Sequence, residues 1–186
     1  MRSKLAWLVL AAAAALLLAG GASAASGKKV LAIRFGPDLE VNPVTQDYLT
    51  GELSRAAKDG YAAAVIELDT PGGLSTSMKT IYTAELNAKL PVIVYVSPDG
   101  ARAASAGVWI SVAADVLAMA PTTNIGSSTP IDSSGQNLGS DLRRKVINDA
   151  AASLTALAAA HHRNTTWPAK AVRVASNLTA SQALHM

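Results

Sequence analysis

Three strand-length apolar runs, each followed by a segment of helical periodicity, constrain this chain more than any other feature. Val92-Ile-Val-Tyr-Val96 is continuous in β-forming residues, the pattern of a strand buried on both faces. Val30-Leu-Ala-Ile-Arg-Phe35 and Ala63-Ala-Val-Ile-Glu-Leu68 also read as strands. Between the first two, Asn42 is placed to cap a helix with Pro43 at its first position. Val44, Tyr48, Leu49, Leu53 and Ala56 then recur with a period near 3.6, and Gly60 stops the run. After Pro71-Gly72-Gly73, Ser75 or Thr76 is expected to cap a second helix reaching about Ala88. Such alternation predicts an α/β domain with a mostly parallel sheet and flanking helices.

Beyond a turn at Ser97–Gly100, the small residues of Ala101–Ser111 read as a helix, and Val116–Met119 as a short fourth strand. Residues 121–140 hold eight Ser/Thr, three Gly and two Pro, the composition of a surface loop. A long Ala-rich helix is expected from about Asp141 to His162. One helix capped near Thr165 or Thr166 follows, and another near Thr179. A closing strand is expected after Ser-Gln-Ala-Leu184 and is not found before Met186.

The N-terminus has a different composition. Arg2 and Lys4 precede an apolar run from Leu5 to Leu18 and the small-x-small triplet Ala22-Ser23-Ala24. This is the layout of a secretory signal peptide over residues 1–24, leaving one exported domain over 25–186. As a membrane anchor the run is short of the roughly 20 residues needed to span. Without it the charge falls from +3 to +1, so the basic balance belongs partly to the signal and no nucleic-acid surface is implied. The absence of cysteine excludes a disulfide scaffold, a thiol nucleophile and a zinc-thiolate site. With three histidines, two of them adjacent, no metal or cofactor is expected.

Three segments could carry chemistry. Leu68-Asp69-Thr70-Pro71-Gly72-Gly73 places two glycines at the carboxyl end of a buried strand, where ligands of open α/β sheets bind, although on these six residues alone a plain tight turn is the simpler account. Ala103-Ala-Ser105-Ala-Gly107 puts a serine among small residues at a helix start, where free N–H groups favour a developing oxyanion. Close helix packing is the competing explanation. It is not the G-x-S-x-G elbow of α/β-hydrolases, because position 103 is alanine. A serine hydroxyl needs a base. His161 and His162 read as surface residues at a helix end, whereas Lys145 lies some 40 residues after Ser105 at the start of the long helix. Arg143, Arg144 and Lys145 could equally be a solvated basic face.

Taken together, Leu-Asp-Thr-Pro-Gly-Gly (68–73), Pro98-x-Gly-Ala-x-Ala-Ala-Ser-Ala-Gly107 and Ala118-Met-Ala-Pro-x-Thr-x-Ile-Gly126 resemble the NfeD proteins. These are membrane-associated serine proteases of the ClpP class that partner stomatin-like proteins. The resemblance runs from about Val30 to Leu184 and implies a ClpP/crotonase-like fold, shared with signal-peptide peptidases of the SppA type. It implies a Ser–Lys dyad of Ser105 and Lys145, the latter aligned through the following Arg163-Asn164. The oxyanion hole maps to the N–H groups of Gly72 or Gly73 and of Ala106. Val108, Trp109 and Ile125 are candidates for an apolar substrate pocket, and equally for core.

The activity implied is an exported, membrane-facing endopeptidase cutting hydrophobic segments of membrane proteins, acting as a homo-oligomer, a dimer in the simplest case. The alternative is a catalytically silent scaffold that partners stomatin-like proteins. A crotonase-like acyl-CoA enzyme is disfavoured by the signal peptide. The family's C-terminal membrane helices and small β-barrel domain have no counterpart in these 186 residues.

Overall fold

The computed structural model describes residues 28–131 and 139–186; residues 1–24, expected from sequence to be a signal peptide, lie outside the described residues. The three apolar runs form β1 (Val30–Phe35), β2 (Ala63–Leu68) and β3 (Val92–Val96), with the boundaries expected from sequence. β5 (Val116–Met119) completes a four-stranded parallel sheet of order β1-β2-β3-β5. Its register pairs Val30 with Ala63, Ala64 with Val92 and Ile93 with Val116. Parallel neighbours need crossover connections, and α1 (Pro43–Lys58), α2 (Ser75–Leu86) and α3 (Ala106–Ala113) lie in them. Ile33, Phe35, Ile66, Leu68, Val92 and Val94 are fully buried and make the centre of the core.

Helix α1 begins as the sequence implies, but its buried stripe is shifted. The Asn42 side chain accepts the Val44 and Thr45 N–H groups, and the Thr45 hydroxyl accepts the Asn42 N–H while donating to the Glu40 carbonyl. Those bonds turn Thr45 inward with Leu49, Leu53 and Ala56. Val44 and Tyr48, expected on the inner face, are 79% and 43% exposed. At α2 neither Ser75 nor Thr76 caps. Leu74 occupies the cap position, held by its N–H to the Val41 carbonyl.

The largest difference concerns Ala101–Ser111, expected as one helix. It splits into β4 (Arg102–Ala103), a break at Ser105, and α3. The cause is long-range. Thr70 N–H donates to the Arg102 carbonyl, Ala104 N–H to the Thr70 carbonyl, and the Asp69 carboxylate accepts the Arg102 N–H. These bonds satisfy an extended backbone that local propensity would make helical. β4 pairs in parallel with β6 (Asn124–Gly126), inside the stretch expected to be loop, and β6 pairs antiparallel with β7 (Asn177–Thr179).

Helix α4 (Ser140–Ala160) packs on α3 and on α5 (Trp167–Arg173). The Asn164 side chain accepts the Thr166 and Trp167 N–H groups, so Asn164 rather than a threonine side chain caps α5. Thr179 caps α6 (Ala180–Leu184) in a capping box with Gln182. All eight residues of α3 are buried. Its last carbonyls therefore need an internal partner, and the Arg163 guanidinium supplies one, at 3.0 Å from the Val112 oxygen and 2.8 Å from that of Ala114.

One buried group works against stability. Glu85 of α2 is 4% exposed, and neither carboxylate oxygen has a hydrogen-bond partner among the described residues. Burial, with a smaller contribution from the charge of Asp115, holds its carboxyl well above the ordinary 4.5. The folded state thus keeps a proton that the unfolded chain would release. Its contribution is fully present below about pH 4.5 and is lost as pH rises towards the folded-state value. Glu85→Gln mimics the protonated form and should match the native Tm near pH 4.5, then exceed it as pH rises. The gap should widen by at most about 1.4 kcal/mol per pH unit. Scanning calorimetry of both proteins across that range checks this, and a pH-independent difference would contradict it.

Candidate active site

The turn after β2 and the start of α3 converge because Thr70 sits between them. Thr70 is fully buried; its hydroxyl donates to the Leu39 carbonyl and accepts the Gly72 N–H at 3.1 Å. The preceding Asp69 carboxylate accepts the N–H groups of Asp38 and Arg102, and the Arg102 guanidinium closes the ring on Asp38 at 2.8 Å. Two residues of Leu-Asp-Thr-Pro-Gly-Gly therefore tie three loops together. Their polar side chains were the available sequence signal, although nothing local says what they bind.

The two glycines are required for different reasons. Gly72 has φ +113°, and a Cβ there would lie 2.5 Å from the Ser105 Cβ and 3.0 Å from its Oγ. Its backbone is thus pressed against the serine hydroxyl. Gly73 has φ +152°, and a Cβ there would lie 2.0 Å from the Val41 carbonyl oxygen. Val41 pairs across Gly73, donating to the Gly72 carbonyl and accepting from the Leu74 N–H. In such a parallel bridge the N–H of the opposed residue points away from the partner strand. Among the described residues the Gly73 N–H has no acceptor, whereas that of Gly72 is taken by Thr70.

Ser105 stands at the N-cap position of α3 with φ +50° and ψ −112°, a conformation rare for a side chain-bearing residue. It is partly buried, and its hydroxyl has no hydrogen bond among the described residues. Its own N–H donates to the Ser127 carbonyl at 2.7 Å. The following N–H, of Ala106, is the first of α3 and has no acceptor among the described residues, as expected of a helix's first N–H groups. Ser105, Gly72, Gly73 and Ala106 are therefore gathered at one end of a buried helix, whose dipole presents its positive end there.

Lys145 is exposed on the second turn of α4 and makes no ion pair among the described residues, while its neighbour Arg144 pairs with Asp141 at 3.0 Å. No hydrogen bond joins Lys145 to Ser105, and residues 132–138, which lead into α4, lie outside the described residues. Arg163-Asn164 fixes the two helix ends described above. Val108 is fully buried, and Trp109 is core with its indole N–H bonded to Ser128 at 2.8 Å. Ile125 is buried but lines an apolar groove of about 800 Å³ with Leu117, Met119, Trp167, Leu178 and Leu184. None of Ser105, Gly72, Gly73, Ala106 or Lys145 lines that groove. Among the described residues no His, Asp and Glu cluster could hold a metal ion, and no helix is long and apolar enough to cross a membrane.

Comparison with known proteins bears on this arrangement. The Membrane-bound protease PH1510 of Pyrococcus horikoshii is 37% identical over 147 residues, covering 78% of this chain but 33% of that protein. The chain thus spans about a third of that relative's length. A serine-to-alanine mutant of the 1510-N membrane-bound stomatin-specific protease superposes with TM-score 0.76 at 32% identity, covering 84% of this chain and 76% of that one. A lysine-to-alanine mutant of the same protease was solved in complex with a substrate peptide; it superposes with TM-score 0.75 at 31% identity, covering 86% and 73%. ClpP1 from Listeria monocytogenes shares the fold at TM-score 0.63 and 18% identity, over 84% and 85% of the two chains. A family model described as NfeD1b, N-terminal domain, matches residues 36–182, and the chain belongs to that family, with a ClpP-like α/β fold.

Proposed function

We propose that this chain is a serine endopeptidase domain in which Ser105 is the nucleophile and Lys145 its general base. The observation that carries the reading is the half-buried Ser105 hydroxyl at φ +50°, at the N-terminus of a buried helix and pressed against Gly72. The relatives named as proteases support it, one altered at a serine and the other at a lysine. In the proposed reaction neutral Lys145 Nζ takes the Ser105 proton and Oγ bonds to the peptide carbonyl carbon. The oxyanion is received by the N–H groups of Gly73 and Ala106. The C–N bond then breaks, and the leaving amine takes the proton from Lys145. Water, deprotonated by Lys145, then bonds to the acyl carbon, and the acyl C–Oγ bond breaks as Oγ takes that proton back from Lys145, freeing a carboxyl product. Because Gly72 N–H is committed to Thr70, Gly73 is the better of the two glycine donors.

The proposed substrate class is an apolar segment of a membrane-associated, stomatin-type protein, reached after export by residues 1–24. One relative is described as specific for a stomatin homolog from Pyrococcus horikoshii, which supports that choice. A silent partner-binding domain is the second reading; it is favoured by the exposure of Lys145 and its lack of a bond to Ser105.

Treating the folded chain with an alkyl fluorophosphonate separates the two. In an active domain Oγ displaces fluoride, and peptide mapping should find one phosphonyl adduct, on Ser105. A folded chain that stays unmodified at Ser105 and cleaves no stomatin-type peptide would leave only the partner-binding reading.

A further inference from the structure

The conformation of Ser105 is held from behind by two residues that no part of the reaction uses. Its carbonyl accepts the Val108 N–H at 3.0 Å and also the Ser128 hydroxyl at 3.1 Å. Ser128 Oγ in turn receives the Trp109 indole N–H at 2.8 Å. The direction of this chain is forced, because an indole nitrogen can only donate and a hydroxyl has one proton to give. Trp109 therefore donates to Ser128, and Ser128 donates to Ser105. The far ends are fixed as well. Tyr82 stacks on Trp109 with ring centroids 6.0 Å apart, while Ser128 N–H and the Thr129 hydroxyl bond to the Ala171 and Val172 carbonyls of α5. Both Trp109 and Ser128 are buried, so water does not substitute for either bond.

We propose that Trp109 and Ser128 are positioning residues: their relay holds the Ser105 peptide in the strained geometry that aims Oγ past Gly72. A backbone at φ +50° and ψ −112° persists only where its surroundings over-determine it. The peptide that fixes Oγ also fixes the adjacent Ala106 N–H. Loosening it therefore disturbs nucleophile and oxyanion donor together, while apolar binding surfaces elsewhere are untouched.

The inference rests on Ser105 as nucleophile, so its test has one arm that needs no activity. In the folded chain the Trp109 indole proton, assigned with Trp109→Phe, should be protected from exchange, and in Ser128→Ala it should shift and exchange faster. An indole resonance unmoved by Ser128→Ala would overturn the relay whether or not the chain is an enzyme. In the second arm, the limiting rate of fluorophosphonate reaction at Ser105 should fall roughly 10- to 100-fold in Ser128→Ala, with the half-saturating concentration little changed. Trp109→Phe should lose less, and the double variant should be no slower than Ser128→Ala alone, because both act through one bond. Ser128→Thr, which keeps the hydroxyl, should recover most of the rate. Additive losses, or a full rate in folded Ser128→Ala, would overturn the positioning role. A native chain unreactive at Ser105 would instead sink the nucleophile assignment, leaving the indole measurement standing.

Discussion

Ser105→Ala is expected to reduce peptide cleavage by roughly 10³-fold or more while leaving the Tm within a few degrees of the native value. The activity loss follows from removing the only atom that can form the acyl bond in the proposed scheme. The stability result follows from the backbone. Ser105 already stands at φ +50°, alanine meets the same steric cost there, and the hydroxyl makes no hydrogen bond among the described residues. Lys145→Ala should lose activity on a similar scale and stability hardly at all, since Lys145 is exposed and has no ion pair among the described residues, and substitutions at such surface positions typically change stability by about 0.5 kcal/mol or less. Lys145→Arg should not restore cleavage, because a guanidinium does not deprotonate in proteins. Initial rates on a stomatin-type peptide, paired with thermal melts, test all three. Activity retained by Lys145→Ala would remove the dyad and leave Ser105 in need of another base.

The second large effect is expected at Gly73. Gly73→Ala should lower stability by about 3–5 kcal/mol and the Tm by roughly 10 °C, together with most Ser105 reactivity. The added methyl would meet backbone atoms of Val41 at 2.0 and 2.7 Å, and backbone cannot swing aside as a flexible side chain can. Relief requires breaking the Val41–Gly73 bridge, which anchors the entrance to α1 on one side and the glycine turn on the other. Gly72→Ala should behave differently. Its methyl would press on Ser105 itself, so reactivity should fall further than stability does. Melts and fluorophosphonate rates on both variants decide the matter, and a Gly73→Ala protein with native Tm would contradict the crowded geometry.

How much of this site was legible in advance depended on the range of the interactions that build it. Ser105 and the Gly72-Gly73 turn could be singled out because small residues and glycine pairs mark close backbone approach wherever they fall, whereas the part given to Ala106 came from the family resemblance. The partners of Thr70, Ser127 and Ser128 could not be read in the same way. Threonine in a turn and serines in a polar loop carry no local sign that they bind a carbonyl or N–H tens of residues away. Trp109 illustrates the same limit from the other side. As a large apolar residue near the serine it suits a pocket wall, yet its indole nitrogen is turned to Ser128 and its ring to Tyr82. Glu85 was silent for a different reason, since a carboxylate on an amphipathic helix is ordinarily solvated.

What the sequence alone determined is the central parallel sheet and its crossover helices. Strand length, helical period and the Asn42-Pro43 start are local properties. The run Val92–Val96 does form a strand, but only Val92, Val94 and Val96 are buried while Tyr95 is exposed, so its second face is not covered as its composition implied. The tertiary structure decided the break of Ala101–Ser111 into β4, Ser105 and α3. The alanines of this segment favour a helix locally, and that preference was overridden by the hydrogen bonds the surroundings offered. Those came from Thr70, Asp69 and Ser127, on the neighbouring strand end and loop. The serine the sequence singles out therefore owes its strained backbone, and its place beside Gly72, to residues with which it has no local relation.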